Sequence, residues 1–338
     1  MDGVAKWNSR ERQDLFTETA ARLGFGNPIV VEKDFWVCWV LNRVSLLRDQ
    51  PRIVFKGGTS LSKVFGLIRR LSEDIDLAFH RHDLGFTGDR DPATPGLSGH
   101  RRKDLLASLK EASAQVVADR FLPALRSAAL PIIGDEPQFY VDVAAPDTVT
   151  FEYPRSLSPT TYPAGGYVRP QVRLELGVRA DHEPQVDGTV KPYAAELSGD
   201  LFTQPSCRVP TLAAERTFWE KATLLHERAL RPQAVERERG SRHYYDVVVM
   251  SRSELGRSAL ARTDLLGVVA RHKAVFFPVG GDVYSSARPG TLRLVPPDEL
   301  RRSLRVDYGK MREMFFEDPP GFDELLAELG DLEARINA

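Results

Sequence analysis

The chain is 338 residues long and 42% hydrophobic, with 46 Lys and Arg against 47 Asp and Glu for a formal net charge of −1. That length can bury a sizeable core and suggests two domains or one elaborated domain. The balanced charge excludes a global electrostatic footprint for nucleic acid, so any polyanion partner must be met by a local basic patch.

In chain order, residues 9–22 read as a helix with Leu15, Phe16 and Thr19 on one side and Ala20 and Leu23 continuing it. "VVEKDFWVCWVLNRVSLL" (30–47) is a second, strongly apolar helix carrying Trp36, Trp39, Val40 and Leu47. "RIVF" (52–55) is a short strand, followed by a Gly57-Gly58 turn and a helix expected over about 60–70. "DIDLAF" (74–79) alternates and reads as a strand. The stretch 83–100 is rich in Gly, Pro, Asp and Ser and reads as a surface loop, with a helix after it over about 101–126. Strand candidates follow at 138–144, 148–153 and 171–180. From residue 209 the pattern turns mostly helical, and the closing segment sets Leu325, Leu329, Leu332 and Ile336 on one helical stripe. These periods predict an α/β domain over 1–205 and a mainly helical domain over 206–338.

Two cysteines, Cys38 and Cys207, cannot build a zinc site and point to a reducing compartment. The N-terminal "MDGVAKWNSRERQDLF" lacks the apolar core of a signal peptide, and no run approaches the ~18 apolar residues of a membrane span. A soluble cytoplasmic protein with no membrane partner is expected. There is no Gly-x-x-x-x-Gly-Lys-Ser/Thr loop, which argues against a P-loop NTPase.

The segment "FKGGTSLSKVFGLIRRLSEDIDLAF" (55–79) carries the chemistry. Its glycine pair permits a tight turn and close backbone approach, and Thr59 or Ser60 is a natural N-cap for the helix behind it. A helix N-terminus after glycines offers unpaired N–H groups and partial positive charge to an anion. On the next strand Asp74 and Asp76 project to one face, roughly 6–7 Å apart at their Cα atoms by strand rise. Hard oxygen ligands at that spacing suit Mg²⁺, which takes one or two carboxylates plus phosphate oxygens. Either part alone also reads as a plain turn or a solvent face; their order raises the functional reading.

"KGGTSLSK…RLSEDIDL" resembles the first motif of nucleotidyltransferase-fold toxins of the AbiEii/MenT group, found in bacterial toxin–antitoxin and phage-defence systems. "VEKDFWVCWVL" (31–41) is similar to a Glu-Lys-Asp helix near that family's N-terminus, and "VRPQVRLELGVR" (168–179) to its third-carboxylate strand. "ERTFWEKATLLHE" (215–227) and "RHYYDVV" (242–248) are similar to its later lysine and aspartate motifs. The resemblance implies a polymerase-β-like core with a mixed sheet and a helical C-terminal half. It implies catalytic Asp74, Asp76 and Glu175, the first two as ligands of a two-metal Mg²⁺ site. Glu175 is then a ligand or the base for the attacking hydroxyl, with Asp142 an alternative third carboxylate. It also implies nucleotide contacts from Lys56, Gly57, Gly58, Thr59, Ser60, Lys221, Arg242 and Asp246. His243 stands where the family more often has Asp, which leaves Asp246 as an orienting group.

By the same resemblance the substrate is an NTP, the acceptor the 3′ end of tRNA or another RNA, and the partner a cognate antitoxin. The Arg-rich segment 226–243, with five Arg against three Glu, is either a solvated face or an RNA track that would include Arg237 and Arg239. Two other functions fit the residues: a transferase that modifies a protein hydroxyl, and a non-catalytic nucleotide-binding module. Three desolvated acids without a metal would repel one another, which speaks against the module.

Overall fold

The structure, a computed structural model, describes residues 1–134, 138–158, 160–162, 168–232 and 239–338. The chain forms two compact units: Met1–Val64 with Leu71–Thr211, and Phe65–Arg70 with Leu212–Ala338.

The first unit begins with α1 (Asp2–Ala5), α2 (Ser9–Leu23) and α3 (Ile29–Leu46). Asn8 caps α2 by accepting from Glu11 N–H at 3.0 Å, and the Glu11 carboxylate accepts from Asn8 N–H at 3.1 Å. This reciprocal box fixes the helix start. Then come β1 (Ile53–Lys56), α4 (Gly57–Lys63) and β2 (Asp74–Phe79). A longer helical stretch follows as α5 (Gly99–Val116) and α6 (Leu122–Ile133), joined through a wider turn at Val117–Phe121. The rest is β3 (Gln138–Asp142), β4 (Ala145–Glu152), β5 (Val172–Gly177), β6 (Gln185–Val190), α7 (Tyr193–Leu197) and β7 (Cys207–Leu212).

The seven strands form one mixed sheet in the order β3-β4-β5-β2-β1-β7-β6, with β2 parallel to β5 and antiparallel to β1. Along β2 the buried Ile75 and Leu77 alternate with half-buried Asp74 and Asp76. Helix α3 packs against β2 and β5 and is buried at every position from Ile29 to Val44. Its Trp36 stacks on Tyr153 at 5.8 Å and, with Trp39, meets Phe151 of β4. A helix without a polar face belongs inside a core, and this one has none.

Two expectations change here. The helix expected over 60–70 runs only over Gly57–Lys63, and Gly66, in the left-handed region at φ 62°, lies where a continuing helix would need right-handed backbone. Residues Cys207–Leu212, expected at the edge of helical sequence, form strand β7 instead. Cys207, Val209 and Thr211 are buried and Arg208 and Pro210 exposed, so the local period is two.

The second unit is helical: α8 (Ala214–Leu230), α9 (Arg242–Arg252), α10 (Glu254–Ala261), α11 (Thr263–Phe276), α12 (Asp298–Lys310) and α13 (Phe322–Asn337). The expected stripe Leu325, Leu329, Leu332 and Ile336 is buried throughout. Among the described residues no helix is long and apolar enough to cross a membrane.

Trp36 is fully buried. Trp36→Ala is expected to cost about 3–5 kcal/mol, read as a lower urea midpoint with an unchanged slope.

Candidate active site

Gly57 is the point at which β1 turns into α4, with φ at +79°. A Cβ there would lie 1.9 Å from Asp76 Oδ2. Glycine is therefore required twice, by the left-handed backbone and by the carboxylate packed against its Cα.

The same carboxylate stands in a cross-strand row. Lys56 of β1 is in register with Asp76 of β2, Asp76 with Glu175 of β5, and Glu175 with Thr148 of β4. In the adjacent row Asp74 pairs with Arg173, and Arg173 with Thr150. Residues directly opposite on neighbouring strands share a face and lie about 4.5–5.5 Å apart. The three expected carboxylates thus share one face of three adjacent strands' worth of sheet with two cations, Lys56 and Arg173. Arg173 Nη2 lies 3.4 Å from Glu175 Oε1. Asp142 does not join them: it is exposed at the β3–β4 turn and accepts from Ala144 N–H at 2.9 Å.

Thr59 and Ser60 are not the N-cap. Lys56 holds that position, and both hydroxyls are buried inside the first turn. Thr59 donates to the Asp74 carbonyl, and Ser60 donates to the Gly57 carbonyl at 2.9 Å. The Thr59 hydroxyl therefore ties α4 to β2, the Ser60 hydroxyl closes the first turn of α4 on itself, and the backbone N–H groups opening the helix lack intrahelical acceptors.

Among the described residues no group of three or more His, Cys, Asp or Glu side chains forms a ready-made metal cage. Mg²⁺ does not need one, because it is commonly held by one or two carboxylates and completed by substrate phosphate oxygens. The hard oxygens of Asp74 and Asp76 on one strand face fit that requirement.

The second unit gathers the remaining expected residues around Asp246 of α9, which is fully buried. Arg70 grips it with two bonds of 2.8 Å each, from Nε to Oδ1 and from Nη2 to Oδ2. Lys221 Nζ of α8 lies 2.9 Å from Oδ2, and 3.4 Å from His243 Nδ1. Burial pushes the Asp246 pKa up, but Arg70 and Lys221 outweigh it and bring it to about 2. Burial pulls Lys221 down from the usual lysine value, with Asp246 opposing and Arg70 adding to the fall. Burial likewise holds His243 well below the usual histidine range, helped by Lys221 and Arg242.

Arg242 is half-buried in the first turn of α9. The approach to that helix is pinned by Asp307 of α12, which accepts from the Arg239 and Ser241 N–H groups at 2.9 and 2.8 Å. Arg237 lies outside the described residues. Arg70 escaped the sequence reading, since nothing in "IRRLSED" separates it from Arg69.

A family model described as nucleotidyl transferase AbiEii toxin, type IV toxin–antitoxin system, matches residues 39–328. The chain belongs to the AbiEii family of nucleotidyltransferase toxins. The AbiEii chain is also similar to a solved structure, MenT4, a nucleotidyltransferase toxin from Mycobacterium tuberculosis H37Rv. The identity is 14%, over 88% of this chain and 99% of that one, with a TM-score of 0.36. No curated protein matches. As an AbiEii-family enzyme it is a nucleotidyltransferase with an NTP as substrate, and the family's toxin–antitoxin setting implies an antitoxin partner.

Gly57→Ala in this AbiEii chain is expected to cost about 1–3 kcal/mol of stability. If Asp76 serves the chemistry, transfer should fall on the order of 10²-fold as well, because its carboxylate must move. Chemical denaturation and turnover measured on the same preparation separate the two effects.

Asp246→Asn is expected to destabilise by about 3–5 kcal/mol, since it leaves two buried cations without their carboxylate. With a folded pKa of about 2 against an ordinary 3.8, Asp246 stabilises the fold above pH 3.8. That contribution is lost as the pH falls through about 2. The variant's unfolding free energy should therefore show a weaker dependence on pH across that acid window than the wild type.

Proposed function

We propose that the enzyme transfers a nucleoside monophosphate from an NTP to the 3′ end of tRNA, with Mg²⁺, and that this arrests translation until an antitoxin intervenes. What supports the site is the register Lys56–Asp76–Glu175, with Gly57 closed against the Asp76 carboxylate. What supports the acceptor is the family likeness. The proposed compartment is the cytoplasm, where NTPs and RNA ends are available.

In the reaction the acceptor hydroxyl oxygen attacks the α-phosphorus. A new O–P bond forms, the bond from the α-phosphorus to the β-bridging oxygen breaks, and pyrophosphate leaves with that electron pair. The hydroxyl proton passes to a base or to water. Asp74 and Asp76 would hold Mg²⁺, which when bound neutralises charge on the attacking and leaving oxygens. The N–H groups at Gly57, Gly58, Thr59 and Ser60, with Lys56, are assigned to the triphosphate, where charge-assisted bonds are the strong ones. Glu175 either takes the hydroxyl proton or completes the ligand set; raising the Mg²⁺ concentration restores the rate of Glu175→Gln only in the second case. The assignment of Lys221, Arg242 and Asp246 to the nucleotide rests on the family likeness alone.

The test uses each NTP labelled at the α-phosphorus or at the γ-phosphorus, with Mg²⁺ and with total RNA or total protein. Label is expected in tRNA, from the α-position only, and Asp76→Asn should abolish it. Label in protein alone overturns the RNA acceptor, γ-label incorporation points to phosphoryl transfer, and no label in either pool overturns the reading. Expression of the wild type without its partner should stop growth, and expression of Asp76→Asn should not.

A further inference from the structure

Helix α3 carries three consecutive charged residues, Glu32, Lys33 and Asp34, each no more than 4% exposed. Successive helix positions differ by about 100° in direction, so the three reach different elements. Glu32 accepts from Ser156 N–H at 2.5 Å and from the Tyr162 hydroxyl at 2.6 Å, in the chain that leaves β4. Lys33 Nζ pairs with Glu73 and donates to the Arg169 carbonyl at 2.8 Å. Asp34 lies 2.6 Å from Lys63 Nζ and accepts from Tyr193 N–H at 2.7 Å.

The partners of the last two bear on the carboxylate face. Glu73 immediately precedes Asp74, the first residue of β2, and Arg169 lies three residues before β5, the strand of Glu175. Lys33 thus ties together the starts of two parallel strands whose pairing aligns Asp76 with Glu175. Lys63 is the last residue of α4, and its ammonium also sits 3.6 Å from the Tyr193 ring centroid. The first residue of that seven-residue helix is Gly57, against which Asp76 rests.

We infer that Lys33 and Asp34 are positioning residues for nucleotidyl transfer: Lys33 holds the Asp76 and Glu175 strands in register, and Asp34 holds the glycine turn against Asp76. The inference rests on the reading of Asp74, Asp76 and Glu175 as the catalytic carboxylates. A buried ion pair is a poor source of net stability but an exacting geometric constraint. Replacement by apolar side chains of similar volume is often neutral for stability, so a loss of kcat in such a variant reads the alignment rather than the stability.

That difference supplies the test. Lys33→Met with Glu73→Leu removes one pair, and Asp34→Asn with Lys63→Met removes the other while keeping the acceptor for Tyr193 N–H; neither leaves an unpaired charge. The expected result for each is a thermal midpoint within a few degrees of wild type, with kcat for transfer to RNA lowered about 10²-fold and KM for the NTP changed far less. A wild-type kcat in folded Lys33→Met/Glu73→Leu overturns the role of Lys33, and a wild-type kcat in folded Asp34→Asn/Lys63→Met overturns that of Asp34. If the Lys33 double variant does not fold, Glu73→Ala, which removes the acceptor for Lys33, is assayed in the temperature range where its circular dichroism is native; a reduced kcat there supports the inference and an unchanged one overturns it. Absence of transfer by the wild type overturns the underlying functional reading instead, so the two failures are told apart.

Discussion

A charged side chain inside a helix that has no exposed face must find a partner or cost several kcal/mol. Helix α3 meets that requirement three times in succession, and the partners it uses are not local. Ser156, Arg169, Glu73, Lys63 and Tyr193 belong to five separate segments of the first unit. The apolar part of α3 works differently. Trp36 and Trp39 supply burial that many arrangements of neighbours would satisfy, whereas the ion pairs accept only one. Burial of the indoles is the larger source of stability; the charges decide which strand starts beside which.

The carboxylate face follows from that alignment, and its charge differs from what three acids alone suggest. Read along the sequence, Asp74, Asp76 and Glu175 are like charges that should repel unless a metal intervenes. In the sheet, Arg173 stands opposite Asp74 and within 3.4 Å of Glu175, and Lys56 stands opposite Asp76. Opposite charges at directly facing positions contribute roughly 0.2–1 kcal/mol each, so the face tolerates its acids. Metal-free repulsion is then a weak objection to a silent binding module. The stronger objection is membership of a nucleotidyltransferase family, and the packing of Gly57 against Asp76 shows only that the carboxylate is fixed in place.

The elements legible in the sequence were those whose period is long or whose face is unambiguous. The alternation in "DIDLAF" and "VRLELG" gave both strands and the side on which the acids lie, and the Leu325–Ile336 stripe gave the last helix. The glycine turn was visible as a turn. Its steric reason was not, because Asp76 is brought to Gly57 by strand pairing across nineteen positions of chain. The run of helical residues behind strand β7 masks it, and the helix expected over 60–70 overshoots α4 because Leu61 and Ile68 keep a helical spacing across Gly66. Glu32, Lys33 and Asp34 stood out only as part of a resemblance, since charges on an apolar helix do not name their partners.

The second unit makes the same point about partners with the opposite electrostatic balance. Sequence treats Lys221 and Asp246 as two contacts, one for phosphate and one for orientation. The fold couples them: Asp246 divides one negative charge between Arg70 and Lys221, with His243 kept neutral beside them. A carboxylate shared in this way is held firmly ionised, whereas each cation receives only part of its compensation. Burial then bears hardest on Lys221, whose compact ammonium is the more strongly hydrated of the two cations when free. Its lowered pKa is the signature of that incomplete compensation. The charge that Asp246 leaves unbalanced on Lys221 is the feature that would favour an anionic group reaching it.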